Sequence, residues 1–540
     1  MNTARKLPWN SRKSLLGTVL VAAFACAGVL DSAAQDLSDG KPLSAIDWLS
    51  DSLDAPRISR TPAEPQRRPD VALTDDIATN ALPESVSTGP IGTPRVDAVG
   101  LLSAAQTGLP RNLWGASRAL DLSRRMTSIA QETDLLPASR RLLNTLILAE
   151  LDPPISDIHD GRLFVARLDA LLAQGLVEET DALIRRAGIK TPDIFKRAFD
   201  AKLLMGTEDE ACAQLKATRD LSPTLPTRIF CLARDGDWSA AALTLDTSTT
   251  LGLISTEDAD LLARFLDPEL FEGEPPLRRP SVLTPLTFRM MDAIGEPIAT
   301  QTLPLAFAQS DLQPTAGWKA RATAAERLAR VGALTPNRWL GIWSEHLPAA
   351  SGGIWDRIGA LQHFESALAS GNPDDVTSRL QRVWDEMGVT GLEIVFADLF
   401  ARKLDTMDLT GPAANTAFDI GMLSPSYELI AAKWDKPLSQ DAAFLSSVAL
   451  GDMPDTPPAT PTKRAIYDGF QATEIPVRLL GLVQNQRLGE AILRAIQLLE
   501  GGATGDLDEL TDAIAFFRTV GLEATARRAS LEILLLERRG

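Results

Sequence analysis

Two tyrosines and three histidines are spread over 540 residues, and cysteines number three. So few imidazoles and thiols leave little material for a transition-metal centre. His159, His346 and His363 stand apart, with no H-E-x-x-H spacing and no cysteine cluster. The G-x-x-x-x-G-K-[ST] phosphate loop, the G-x-S-x-G nucleophile elbow and a strand followed by G-x-G-x-x-G are missing as well. Spacing therefore assigns no catalytic residue, no cofactor and no metal ligand. Strand signals are scarce, and beyond the N-terminus no apolar run reaches the ~20 residues of a membrane-spanning helix.

Positive charge is the scarcer sign. Lys and Arg total 54 against 71 Asp and Glu, a net charge of −17. Such a surface repels nucleic acid and anionic lipid, which removes nucleic acid as a partner, and it keeps a chain soluble.

Residues 1–34 have the parts of a signal peptide: Arg5, Lys6, Arg12 and Lys13, then "SLLGTVLVAAFACAGVL", then small Ser32 and Ala34 before a cut at Gln35. The expectation is export to the periplasm, with membrane association only if the signal is retained or lipidated. Cys26 raises the lipid-anchored reading, although Phe24 stands where a small residue is expected. Removing 1–34 takes away four basic residues and Asp31 and leaves −20.

Residues 35–105 are poor in apolar side chains and rich in Pro, Ser, Thr and Asp, and read as a disordered tail. A short motif at 43–54 is the exception. Ser44 and Asp47 have capping-box spacing, and Leu43, Ile46, Leu49 and Leu53 share one helical face, with Trp48 off it. A helix this short is marginal alone, so it needs a partner, either this chain's own helices or another protein's groove.

From residue 106 the hydrophobic period is helical. Phe164, Leu168, Leu171 and Leu172 form one stripe ending at Gly175; Leu176, Leu183 and Ala187 form the next, ending at Gly188. The same design recurs to the end, through Leu488, Ile492, Ile496 and Leu499, then Leu507, Leu510, Ile514 and Phe517, then Leu522, Ala526, Ala529 and Ile533. Helical hairpins in tandem predict an all-α fold, an α-solenoid. Proline-rich stretches at 267–285 and 451–464 either divide it into lobes at 106–266, 286–450 and 465–540 or form loops draped over one superhelix. Cys212 and Cys231 fall in neighbouring helices, where an oxidising compartment suggests a disulfide and the alternative is two buried free thiols.

"GDWSAAALTL" after "IFCLARD" has the Gly-x-Trp-x-x-Ala spacing of tetratricopeptide-type hairpins, and the chain resembles a divergent member of that class. Its full fingerprint of Leu-Gly, Tyr and terminal Pro is not present. Through "SAIDWLSDSL", "IFCLARDGDW", "LLARFLDPEL" and "PAASGGIWDR" the chain also resembles a group of exported alphaproteobacterial proteins. Some of them are labelled antifreeze-glycopeptide-related, a label that implies Ala-Ala-Thr repeats this chain lacks. The resemblance implies a Gram-negative periplasm and no activity.

The densest cluster of candidate binding residues is "NRWLGIWSEH", where Trp339, Trp343 and His346 at i, i+4 and i+7 would share a helix face, with Trp355 after a "SGG" turn. The pattern fits either an aromatic ligand platform or a seam between helices. Glu365 before Ser366 echoes the Glu-Ser pair of lytic transglycosylases, without the rest of that signature. Three functions remain: a non-enzymatic scaffold binding protein partners in the cell envelope, a glycan-binding or glycan-active envelope protein, or a helical enzyme whose site assembles from distant residues.

Overall fold

A computed structural model describes residues 95–155, 161–434 and 439–536, and within them the chain is helical from end to end. The signal segment, the motif at 43–54, the tail up to residue 94 and His159 lie outside the described residues. Among the described residues no strand forms; the extended pairing present is a single parallel bridge between Leu102 and Ala149.

The first helices are α1 (Ala104–Thr107), α2 (Ala119–Gln131), α3 (Pro137–Leu148), α4 (Arg162–Ala173) and α5 (Val177–Ala187). Then come α6 (Pro192–Met205), α7 (Glu208–Ala217), α8 (Leu225–Arg234), α9 (Trp238–Thr250), α10 (Thr256–Leu266) and α11 (Pro285–Ala293). The middle holds α12 (Trp318–Arg330), α13 (Pro336–Trp343), α14 (Ile354–Ser370), α15 (Pro373–Thr390), α16 (Glu393–Asp405) and α17 (Gly411–Leu423). The chain closes with α18 (Tyr427–Lys433), α19 (Gln440–Leu450), α20 (Pro461–Gln471), α21 (Val477–Gln484), α22 (Leu488–Ala503), α23 (Leu507–Thr519) and α24 (Glu523–Leu535).

Local chemistry sets these boundaries. Pro137, Pro192, Pro336 and Pro373 occupy the first helical position, where the missing N–H costs nothing. Ser255 Oγ accepts the Asp258 N–H at 3.1 Å and donates to its carboxylate at 2.8 Å, which starts α10 where the sequence pattern puts it. Gly175 and Gly188 end α4 and α5 at φ +77° and +78°, a conformation that other residues rarely adopt.

The striped faces are the buried ones. Phe164, Leu168, Leu171, Leu183, Ile496, Leu499, Leu510, Ile514 and Phe517 are all fully buried. At ~1.5–3 kcal/mol for each such side chain, these faces and not helix propensity hold the hairpins together. The main core takes in α2–α6 and α12–α24, and a second cluster around Phe195, Phe199, Phe230, Leu262 and Met290 fills the space among α6–α11.

Both proline-rich stretches run inside one compact unit. The first begins in a short 3-10 turn at Pro268–Phe271 and leads into α11, which packs back on α6 and α10. The second joins α19 to α20, whose buried residues belong to the same core.

Residues 95–105 are part of the described structure. Asp97 is buried and caps α4 by accepting the Phe164 N–H at 2.7 Å. Its carbonyl accepts from Arg167 at 3.1 Å, and the buried Arg167 donates further to the carbonyls of Ile147 (2.7 Å) and Ala149 (3.2 Å). Burial pulls the Arg167 guanidinium down to about 10, with Asp97 opposing, so it remains charged at neutral pH. One buried arginine thus straps residues 97–102 onto α3 and α4, a tertiary bond that composition does not reveal.

In a simple solenoid each hairpin touches only its neighbours. Here the first helices meet the last. Arg125 donates to Gln497 at 3.0 Å, the Leu136 N–H reaches Glu500 at 3.1 Å and the Ala138 N–H reaches Glu532 at 2.7 Å. Gly489 donates to the Leu113 carbonyl at 2.9 Å, with Trp114 lying against it so closely that a Cβ there would come 2.4 Å from the ring.

Candidate functional site

The aromatic cluster predicted on one helix face is divided by the end of that helix. α13 stops at Trp343, so His346 falls in the following turn and does not share its face. Trp339 and Trp343 are fully buried, ring centroids 4.8 Å apart, and Trp343 Nε1 donates to the Ala322 carbonyl at 3.1 Å. They form the seam between α12 and α13 and offer no face to a ligand. Trp339 Nε1 is buried without a hydrogen-bond partner, a cost of ~1–3 kcal/mol that the packing of the ring offsets.

His346 and Trp355 are brought together by a residue the sequence reading did not single out. Trp318, first residue of α12, lies tilted by 40° against Trp355 with ring centroids 5.0 Å apart and meets the exposed His346 edge-on at 5.2 Å. Its Nε1 donates to the Ile342 carbonyl at 2.8 Å, which fixes the ring over the end of α13. The one available signal was density, since four of the ten tryptophans fall between residues 318 and 355.

Beside Trp355 lies an open groove of about 570 Å³, lined by Leu347, Asp356, Gln362, His363, Ser366 and Arg382 among others. Gln362 donates to the carbonyls of Trp343 (2.9 Å) and His346 (2.8 Å), so the loop forming one wall is tied to α14. Leu347 is 82% exposed at the lip. An indole edge, an imidazole, a guanidinium and an amide around an open trough are the groups that grip a sugar ring or an extended peptide. Glu365 lies next to the groove-lining Ser366 and is half-buried; burial raises its carboxyl above the usual range, opposed by the Ser344 hydroxyl at 3.1 Å and by Lys403.

A second candidate surface is the α7–α9 region. Cys212 and Cys231 are joined in a disulfide that ties α7 to α8. The turn to α9 uses Gly236 at φ +83° and Asp237 as a cap on the Ala240 N–H, and Ala241 is fully buried where α9 meets α8. Trp238, by contrast, is 51% exposed, and Leu243, Leu251 and Leu253 are exposed with it. From Trp238 to Leu253 the sequence carries one charge, Asp246, with exposed Asp237, Glu257 and Asp260 flanking the stretch in the sequence. A nearly uncharged helix face on so acidic a chain is the pattern of an interaction surface.

The Leu43, Ile46, Trp48, Leu49 and Leu53 motif lies outside the described residues. Among the described residues no group of three or more His, Cys, Asp or Glu is placed to hold a metal ion, and no helix is long and apolar enough to cross a membrane. Compared with family models, curated proteins and solved structures, the chain matches none.

Proposed function

We propose that the protein is an exported, non-enzymatic scaffold of the cell envelope, built of divergent tetratricopeptide-type hairpins, that holds protein partners on its helical surface. The observation carrying this reading is α9: Trp238 and Leu243 project into solvent from the helix that packs on the disulfide-tied pair α7 and α8, a helix whose one charge is Asp246. Its complement is a protein surface with an apolar centre. The segment Leu43–Leu53 is a second docking element, folding on this chain or on the partner. The test is capture from an envelope extract by the wild-type protein and by Trp238→Ser/Leu243→Asp, which changes only exposed side chains. A partner lost with the variant supports the reading; an unchanged set of partners overturns it.

A glycan-binding role is favoured by a different observation, the Trp318–Trp355 pair beside the open groove. Trp355 is the residue to change, because Trp343→Ala would cost ~3–5 kcal/mol of core and confuse binding with unfolding. Binding to purified sacculi that falls with Trp355→Ala supports this second role, and no binding by the wild type removes it.

A further inference from the structure

The groove beside Trp355 runs along a helix face and carries unpaired positive charge. Trp355, Gly359, His363 and Ser366 recur at every third or fourth residue of α14, so they line it over about 16 Å of one face. Gly359 keeps the stretch between Trp355 and His363 unobstructed. A Cβ there would meet only Pro348, another lining residue, at 3.9 Å. The walls are set before any ligand arrives. Trp355 packs against Trp318, whose Nε1 is fixed on the Ile342 carbonyl, and Gln362 ties the loop opposite, so binding requires little ordering.

His363, Ser366 and the α15 residue Arg382 are exposed, and their side chains make no hydrogen bond or ion pair among the described residues. The acids beside them are engaged. Asp356, the carboxylate of the lining, accepts the Gly352 N–H at 3.0 Å, and Glu365 accepts the Ser344 hydroxyl at 3.1 Å. On a chain of net charge −17 the groove therefore offers a free guanidinium, imidazole and hydroxyl along with an indole. An extended peptide would seek a strand edge to pair with. Among the described residues no strand forms, and α14 and α15 spend their main-chain groups within the helices.

We propose that the groove takes a sugar carrying a carboxylate, one ring lying against the Trp355 indole and the acid held by Arg382 and His363. This rests on the glycan-binding reading of the groove and gives its ligand a charge. A guanidinium suits a carboxylate because paired N–H groups match both oxygens at once. Ser366 serves a ring hydroxyl. The acid belongs either to a uronic acid ring or to a lactyl ether on an amino sugar, and Arg382 meets the same group in both.

Calorimetric titration of the full-length protein tests this with two pairs of sugars. Trigalacturonate is compared with its methyl ester, and N-acetylglucosaminyl-N-acetylmuramic acid with di-N-acetylchitobiose. Expected is saturable binding of at least one acid, at least tenfold tighter than its neutral counterpart, and which acid binds names the source of the carboxylate. Arg382→Gln, at an exposed position, is expected to weaken the acid at least tenfold and leave the neutral sugar unchanged, with Arg382→Lys weakening it less. Gly359→Leu, which fills the trough without removing a packed side chain, is expected to abolish binding at an undiminished melting temperature. Equal affinity for acid and neutral sugar overturns the proposal and leaves the groove a binder of neutral glycans. Unchanged acid binding by Arg382→Gln or by Gly359→Leu places the sugar elsewhere and overturns it too. No binding of any of the four sugars overturns the glycan-binding reading along with it.

Discussion

The Glu532 carboxylate accepts the backbone N–H of Ala138 at 2.7 Å across 394 residues of sequence. The same carboxylate takes Arg141 at 2.5 Å, and Glu532 itself is 2% exposed. Burial pushes its carboxyl up, while Arg141 and the Ala138 N–H hold it down. One side chain of the last helix therefore caps the start of α3 and neutralises its arginine.

Removing one partner of a buried pair leaves the other charge stranded, which typically costs ~3–5 kcal/mol. Glu532→Ala is expected near the lower end of that range by urea denaturation, because Arg141 is partly solvated. The exposed Arg338–Glu178 pair, at 2.6 Å, is shorter than many ion pairs, yet Arg338→Ala is expected to cost under ~1 kcal/mol. Equal costs for the two substitutions would show that packing alone joins the chain's ends.

Two glycines give opposite signs. A Cβ on Gly502 of α22 would sit 2.6 Å from the Leu510 Cα, backbone that cannot yield, so Gly502→Ala is expected to destabilise by ~1–3 kcal/mol. Gly341 lies inside α13 with nothing within 4 Å, and Gly341→Ala is expected to stabilise by ~0.5–1 kcal/mol through helix propensity. Melting temperatures moving in the same direction would refute the close approach of α22 and α23.

The Cys212–Cys231 bridge spans 19 residues and is expected to contribute roughly 3 kcal/mol by restricting the unfolded chain. Cys212 and Cys231 belong to the α6–α11 cluster, and not to the main core. Hydrogen exchange after reduction is expected to accelerate in α7–α10 first, with α22 and α23 still protected. Uniform acceleration would show that the two clusters unfold as one.

Asp419 on α17 is raised from 3.8 to about 6 by burial alone. The folded protein thus binds a proton more tightly than the unfolded chain, and this group's contribution to stability falls as pH rises from about 4 to 6, then levels off. Asp419→Asn is expected to flatten that slope and to be more stable at pH 7 by up to roughly 3 kcal/mol. Urea midpoints measured from pH 4.5 to 7.5 check it; parallel curves for the two proteins would exclude a perturbed Asp419.

What the sequence made legible was local. Gly175, Gly188, Ser255 and the stripe through Phe164 and Leu168 act within one or two turns of chain, and each sits in the element its pattern implies. The failures have a common physical origin in distance. His346 fits the period of Trp339 and Trp343, but periodicity continues past a helix end when nothing local marks it; Ser344 and Glu345 are unremarkable residues. Trp318 joins the cluster only because α12 folds across α13, and Arg167 orders residues 97–102 only through a tertiary contact. Exposed Trp238 shows the converse, since a residue type that usually marks a core here marks a surface.

The strap at Asp97 and the junctions of Leu136 with Glu500 and Ala138 with Glu532 also impose an order of events on synthesis. A ribosome delivers α2 and α3 early, and the carboxylates that accept the first N–H groups of α3 arrive more than 350 residues later. At ~5–20 residues per second that interval is tens of seconds, far longer than helix formation takes. The start of α3 therefore waits without the carboxylates that accept its N–H groups until the final helices emerge.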